Sequence, residues 1–220
     1  DLVVDAMDLG DLASVKAYAA SVAEREPRLD LLINNAGIMA CPETRIGPQW
    51  ESQFAVNHLG HFVLTNGLLS SLLAANGARV VCLSSIAHRM SDIRWDDIHF
   101  TKEPYEKWAA YGQAKTANAL FALALDMKFS DQGLRAFSVH PGGIMTPLQR
   151  HLPQEEMQAL GWLSTSPPTA GPPRRSIWPP VGFPRRPLLP TPALPAPSPV
   201  PSATAAPLDE DALSGAIAAL

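Results

Sequence analysis

Tyr111 and Lys115 stand four residues apart at the head of YGQAKTANALFALALDMKF, residues 111 to 129. On a helix that spacing makes them neighbours, with β-carbons ~5–6 Å apart. A phenol beside an ammonium is a proton-transfer pair, because a nearby positive charge favours the phenolate of a group whose free pKa is ~10. The bland alternative is an aromatic residue next to a solvated lysine at a helix rim. Two further polar residues stand in apolar surroundings: Asn57 in VNHLGHF and Ser85 in CLSSIAH. Ser85 could close a strand, hydrogen-bond a substrate oxygen, or act as a nucleophile with His88 three residues on; the GxSxG elbow that exposes such a nucleophile is absent. Ser84 reads as structural. His58 and His61 have the spacing of a metal pair, but that helix offers no acidic residue or third histidine to complete it, so no metal is expected.

The elements that must carry these residues alternate in type. LVVDAM, residues 2 to 7, reads as a buried strand ending at Asp8-Leu9. Asp11 is placed to cap a helix from Leu12 to Arg25. LDLLINNAGIM is a second strand, and its Asn34-Asn35-Ala36-Gly37 suits a tight turn. Residues 49 to 74 carry a long helical pattern through Trp50, Phe54, Leu64, Leu68 and Leu72. Residues 78 to 85 form a β-branched strand, a helix opens at Tyr111, and LRAFSVH is a last strand ending at Pro141-Gly142. Near-continuous apolar strands alternating with helices indicate an α/β fold with a parallel sheet covered on both faces, and ligands bind such sheets beyond the carboxyl ends of the strands. Asp8-Leu9, Asn34 to Gly37, Ser84-Ser85 and Pro141 to Thr146 all fall at those ends.

Composition narrows the class. The chain has 220 residues, 46% apolar, with a net charge of −4 and its basic residues scattered, which argues against a nucleic-acid partner. No apolar run approaches the ~20 residues of a membrane span, and the first residues lack the layout of a signal peptide, so a soluble cytoplasmic protein is expected. Cys41 and Cys82 stand far apart without CxxC partners and read as reduced thiols, one of them in a buried strand.

In combination, Asp8-Leu9, NNAG at 34 to 37, VNHLGHF, CLSSIAH, YGQAK and PGGIMT at 141 to 146 resemble the short-chain dehydrogenases/reductases. The resemblance runs from about residue 1 to 162, and the 26 positions from Ser85 to Tyr111 are similar to the branch of retinol dehydrogenases and related bacterial oxidoreductases. It implies a Rossmann-type doubly wound fold and hydride transfer between NAD or NADP and an alcohol or carbonyl. Tyr111 would be the acid/base, Lys115 its electrostatic partner and a ligand of the nicotinamide ribose, and Ser85 a donor to the substrate oxygen. Asn57 would hold a water linking Lys115 to solvent. Asp8, Leu9, Asn35, Ala36 and Gly37 would line the adenosine half, and Pro141, Gly142 and Thr146 the nicotinamide half. Residues 147 to 163 would start a mobile segment over a small-molecule substrate. Many members also pair through the helices after the NNAG and serine strands, so the resemblance leaves room for a homo-oligomer without fixing the oligomeric state. Such chemistry needs what these side chains offer, since a carbonyl under reduction gathers negative charge that asks for a proton donor and a hydrogen bond.

The pattern departs from that family at both ends. The resemblance places a first strand, a glycine-rich phosphate-binding turn and a second strand before Asp1, so the expected sheet lacks two strands and that turn. Of 22 prolines, 15 fall in residues 164 to 207, where average usage gives about two. The organisation read is therefore a partial dinucleotide-binding domain over 1–163, a Pro-rich irregular segment over 164–207, and a short helix over 208–220. The Pro-rich segment is either a polyproline II linker or the product of an altered reading frame or gene model. A competing reading of the whole chain is a catalytically inactive remnant, or an interaction protein that uses this tail.

Overall fold

Asp11 caps the first helix as its type and position predict. Its carboxylate accepts from Ala13 N at 3.0 Å and Ser14 N at 3.3 Å, and α1 runs Leu12–Arg25 with Leu12, Val15 and Ala19 buried. In the computed structural model, residues 2–162 are described. The Pro-rich stretch and the expected helix of residues 208–220 lie outside the described residues.

Three parallel strands form the central sheet: β1 (Leu31–Asn34), β4 (Arg79–Leu83) and β5 (Arg135–Val139), in the order β1-β4-β5. Asn34 stands beside Cys82, and Cys82 beside Ser138, so the three strands end nearly level. Between β1 and β4 lie a two-stranded antiparallel ribbon of β2 (Arg45–Ile46) and β3 (Trp50–Glu51) and then a run of helix: α2 (Ser52–Phe54), a π-helical turn (Ala55–Leu59), α3 (Gly60–Gly67) and α4 (Leu69–Ala74). The long helix α5 (Lys107–Phe129) lies between β4 and β5 in the chain and packs on both, while α1 packs on α3. A 3-10 turn (Pro147–His151) and α6 (Gln154–Ala159) follow β5. The core holds Val15, Leu72, Val80, Cys82 and Leu134, each less than 2% exposed. Cys82 is the expected buried-strand thiol. No helix among the described residues is long and apolar enough to cross a membrane.

Several boundaries differ from the sequence reading, each for a local reason. Residues 2–7 do not form a strand: Leu2, Val3 and Val4 are exposed at 88%, 70% and 83%. An apolar run becomes a strand only where a neighbour takes up its backbone groups, and among the described residues this run has none. The helix expected from residue 49 starts at Ser52, because the Glu51 carboxylate accepts from Gln53 N and Phe54 N at 2.8 and 2.7 Å and leaves Trp50 to the ribbon. That helix also passes through a π turn at Asn57 and breaks at Leu68, whose ψ is 3°. Helix α5 opens one turn before Tyr111, since the Glu106 carboxylate caps Trp108 N and Ala109 N at 3.0 and 2.6 Å.

Candidate active site

The strand ends gather the site. Asn35, Ala36 and Gly37 after β1, Ser84 and Ser85 after β4, and Pro141, Gly142 and Thr146 after β5 all face one cavity of about 780 Å³, whose wall also includes Tyr111 and Lys115 of α5 and, from the segment after β5, Leu148 and Trp162. Asp8, Leu9 and Asn57 are not part of that lining. Asp8 Oδ1 accepts from Gly10 N at 2.8 Å, and Leu9 is buried beside Gly60 of α3.

Tyr111 occupies the second turn of α5 at 4% exposure, packed with Met39, Ala40, Ala87 and Leu152, and the Trp108 ring meets its own edge-on at 6.2 Å. Burial pushes its phenol pKa up, and the Ser85 side chain beside it pulls it partly back. Lys115 is 5% exposed; Nζ donates to Leu83 O at 3.0 Å and lies 5.4 Å from the centre of the Tyr111 ring. Burial lowers the ammonium to about 8, and the nearby Cys82 raises it only in part. From the sequence, the lysine and the positive ring of an oxidised nicotinamide together favour the phenolate. The protein's own groups move the phenol up, because desolvation of the phenolate outweighs the hydrogen bond from Ser85.

Ser85 leads into a 3-10 turn (Ile86–Arg89), and its Oγ accepts from Ala87 N at 3.2 Å. Ser84 is structural, with Oγ donating to Lys115 O at 2.8 Å and N donating to Val139 O at 2.9 Å. His88 Nδ1 is 2.6 Å from the Ser85 carbonyl and not engaged with its hydroxyl, which removes the nucleophile–base arrangement a hydrolase would need.

Asn57, fully buried in the π turn, grips Ile38: Oδ1 accepts from Ile38 N at 2.8 Å and Nδ2 donates to Ile38 O at 2.9 Å. A β-carbon on Gly37 would lie 2.8 Å from Asn57 Oδ1 and 3.9 Å from Lys115 Nζ, so the three residues converge. With both ends of its amide on Ile38, Asn57 braces the turn that faces the lysine. Its backbone carbonyl has His61 Nδ1 3.0 Å away. His58 Nδ1 instead meets Asn118 Oδ1 at 3.2 Å.

Gly142, at φ 90°, makes the turn out of β5. Thr146 forms a capping box: Oγ1 accepts from Leu148 N at 3.2 Å, and Thr146 N donates to Gln149 Oε1 at 2.9 Å. The segment expected over the substrate is held down by Glu156, which accepts from Lys107 Nζ at 2.7 Å and Trp108 Nε1 at 2.9 Å. Sequence reasoning missed this anchor and the Leu83 carbonyl that seats Lys115. A backbone acceptor leaves no mark in side-chain types, whereas Trp108, one turn before Tyr111, was a signal available to be used.

The chain matches the family described as short chain dehydrogenase over residues 1–97, a span that includes Asn57 and Ser85 and stops before Tyr111 and Lys115. It is 46% identical over 158 residues to a probable oxidoreductase of Streptomyces lividans, covering 71% of this chain and 52% of that protein. To retinol dehydrogenase 13 of Homo sapiens it is 43% identical over 145 residues, covering 66% and 44%. Among solved structures, a putative uncharacterized protein from Mycobacterium paratuberculosis aligns with TM-score 0.57 and 42% identity over 66% of this chain and 52% of that one. The Pseudomonas aeruginosa RhlG/NADP active-site complex aligns with TM-score 0.52 and 25% identity over 70% and 58%. The chain spans about half the length of the curated relatives it matches.

Proposed function

We propose, since the chain belongs to the short-chain dehydrogenase/reductase family and its retinol-dehydrogenase-like branch, that it serves NAD(P)-dependent interconversion of an alcohol and a carbonyl, with Tyr111 as the acid/base. Its α/β fold is Rossmann-like. The observation that carries the proposal is the convergence of the Ser85 hydroxyl, the Tyr111 phenol and the Lys115 ammonium on one cavity at the carboxyl edge of a parallel sheet.

The donors present fit a nicotinamide cofactor. Lys115 Nζ has three N–H donors and, among the described residues, gives one to Leu83 O, so its remaining donors serve the cavity wall and suit the two hydroxyls of a ribose. The small residues Asn35, Ala36 and Gly37 leave backbone close to the same space. When bound, the nicotinamide supplies or accepts the hydride. The protein handles the proton. In the direction of reduction, Tyr111 Oη donates its proton to the carbonyl oxygen as negative charge gathers there, and Ser85 Oγ–H donates a hydrogen bond to the same oxygen. Burial, which holds the phenol protonated, suits it to that task. Lys115, at about 8, remains mostly protonated at neutral pH and stabilises the phenolate left behind. Oxidation of an alcohol runs the same proton backwards.

The test is NADH or NADPH consumption by the full chain against a panel of aldehydes and ketones, beside Tyr111→Phe. Loss of nearly all turnover in the variant is expected, and undiminished turnover would sink the assignment.

A further inference from the structure

We propose that Asn118 is a positioning residue for Lys115, holding in place the Leu83 carbonyl on which the ammonium is seated; the inference rests on the reading of Lys115 given above. The Leu83 oxygen accepts from Lys115 Nζ at 3.0 Å and from Asn118 Nδ2 at 3.0 Å. One carbonyl has two lone pairs, so both donors are served at once. Asn118 follows Lys115 by three residues, on the same face of α5 one turn later, and is 3% exposed. An asparagine costs helix propensity in the run KTANALFALAL, and its buried amide must find partners for both ends.

The other end of the amide is fixed by His58. Because Nδ2 donates to Leu83, Oδ1 is the acceptor, and His58 Nδ1 at 3.2 Å must carry the hydrogen. Burial keeps that ring neutral, with its pKa lowered to about 4, so the donor persists at neutral pH. The rings of Phe54, Phe62 and Phe121 stand 5.2, 6.1 and 6.0 Å from the His58 ring and leave it little room to turn. An amide flip would set Oδ1 of Asn118 against the Leu83 carbonyl oxygen, two acceptors with no hydrogen between them. The chain of contacts therefore runs from the π turn through His58 and Asn118 to the end of β4, and from there to Lys115. Ser84 Oγ, donating to Lys115 O at 2.8 Å, ties the same strand end to the same helix. Titratable groups facing Lys115 are Tyr111 on its own helix, Cys82 on β4 and His61 on α3; the amide of Asn118 adds a neutral group that acts through geometry.

The experiment reads the lysine directly. In the full 220-residue chain carrying 13C,15N-lysine, the Lys115 signal is assigned with Lys115→Arg and titrated in wild type and in Asn118→Ala. The expected result is a midpoint roughly half a pH unit or more below wild type in a chain whose amide spectrum remains folded, because the ammonium has lost a fixed acceptor. Should Asn118→Ala fail to fold, Asn118→Ser takes its place with the same expected direction. An unmoved midpoint in the folded variant overturns the proposal. A second arm measures NADH binding: with Lys115→Met already made, Asn118→Ala should weaken binding by less than about twofold, the scatter of independent sites. A full, additive loss there overturns it too. If wild type binds neither NADH nor NADPH, the functional reading fails, and the titration still decides the role of Asn118.

Discussion

Lys115 meets Tyr111 across the face of its ring, with Nζ 5.4 Å from the ring centre, and is held at its tip by the Leu83 carbonyl at 3.0 Å. The lysine therefore belongs as much to β4 as to its own helix. Burial acts on the pair in opposite senses, raising the phenol and lowering the ammonium to about 8, so that at neutral pH the resting pair is a neutral phenol beside a cation. That is the protonation state from which a proton can be delivered.

Tyr111→Phe separates the hydroxyl from the ring. The phenylalanine keeps the packing with Met39 and Leu152 and the edge-on contact with Trp108. Turnover should fall by ~10²–10⁴-fold, the range of a lost general acid, while stability changes by only ~1 kcal/mol. Steady-state rates and urea midpoints on the same preparation check both halves.

Lys115→Met should be inactive yet more stable at neutral pH. The lysine pKa is lowered from 10.5 to about 8, so below pH 8 the folded and unfolded states are both protonated, and the folded state carries the full cost of the buried charge. Between those two values the unfolded chain binds the extra proton and stability rises with pH. At pH 7 the methionine variant should gain ~2–3 kcal/mol over wild type, a difference that shrinks as pH passes through ~8 to ~10.5. Urea unfolding at pH 7 and pH 10 measures it; equal stability at pH 7 would show that water reaches the amine.

Much of this was legible because it depended on side-chain type and local spacing. Asp11 before an apolar period, the strand cores around Val80 and Ala136, and the Tyr111–Lys115 spacing all rest on neighbours in the sequence. What escaped depended on groups far along the chain. The run LVVDAM has strand composition and no ladder partner among the described residues. Glu51 and Glu106 cap helices from positions where the apolar pattern suggested either helix already under way or loop. The seat of Lys115 is a backbone oxygen, and the brace at Ile38 comes from an asparagine in a π turn that no apolar spacing announces.

Acid should loosen the protein through His58. Its pKa is lowered to about 4 by burial, so as pH falls from ~6.5 the unfolded chain takes up a proton that the folded ring refuses. Stability present at pH 7 is lost across the window from ~6.5 to ~4, by ~2–3 kcal/mol for this group alone. His58→Phe should flatten that slope while lowering stability at pH 7, since Asn118 Oδ1 loses its donor. Urea midpoints at pH 7, 6 and 5 for the two proteins give the slopes; parallel slopes would show that His58 titrates freely.

Gly112, between the tyrosine and the lysine, gives the most direct test of how tightly helix and strand end are fitted. Within a helix interior, glycine costs ~1 kcal/mol against alanine, so Gly112→Ala should stabilise α5 if nothing stood in the way. A β-carbon there would come 2.7 Å from Ala87 O, in the turn that follows Ser85, and 3.2 Å from Ser91 N just beyond it, both backbone atoms and so unable to swing aside. The helix must move away from that turn instead, and its motion carries Tyr111 off the Ser85 hydroxyl. Overpacking of this kind costs ~1–3 kcal/mol, more than the propensity gained, and a displacement of ~1 Å at a reacting group costs ~10²-fold in rate. Gly112→Ala is therefore expected to unfold at lower urea and to lose turnover by ~10–100-fold, with KM moving less than kcat. A variant as stable and as active as wild type would mean that α5 can shift on the sheet without disturbing the pair, and that the close approach at Ala87 does not set the distance between Ser85 and Tyr111.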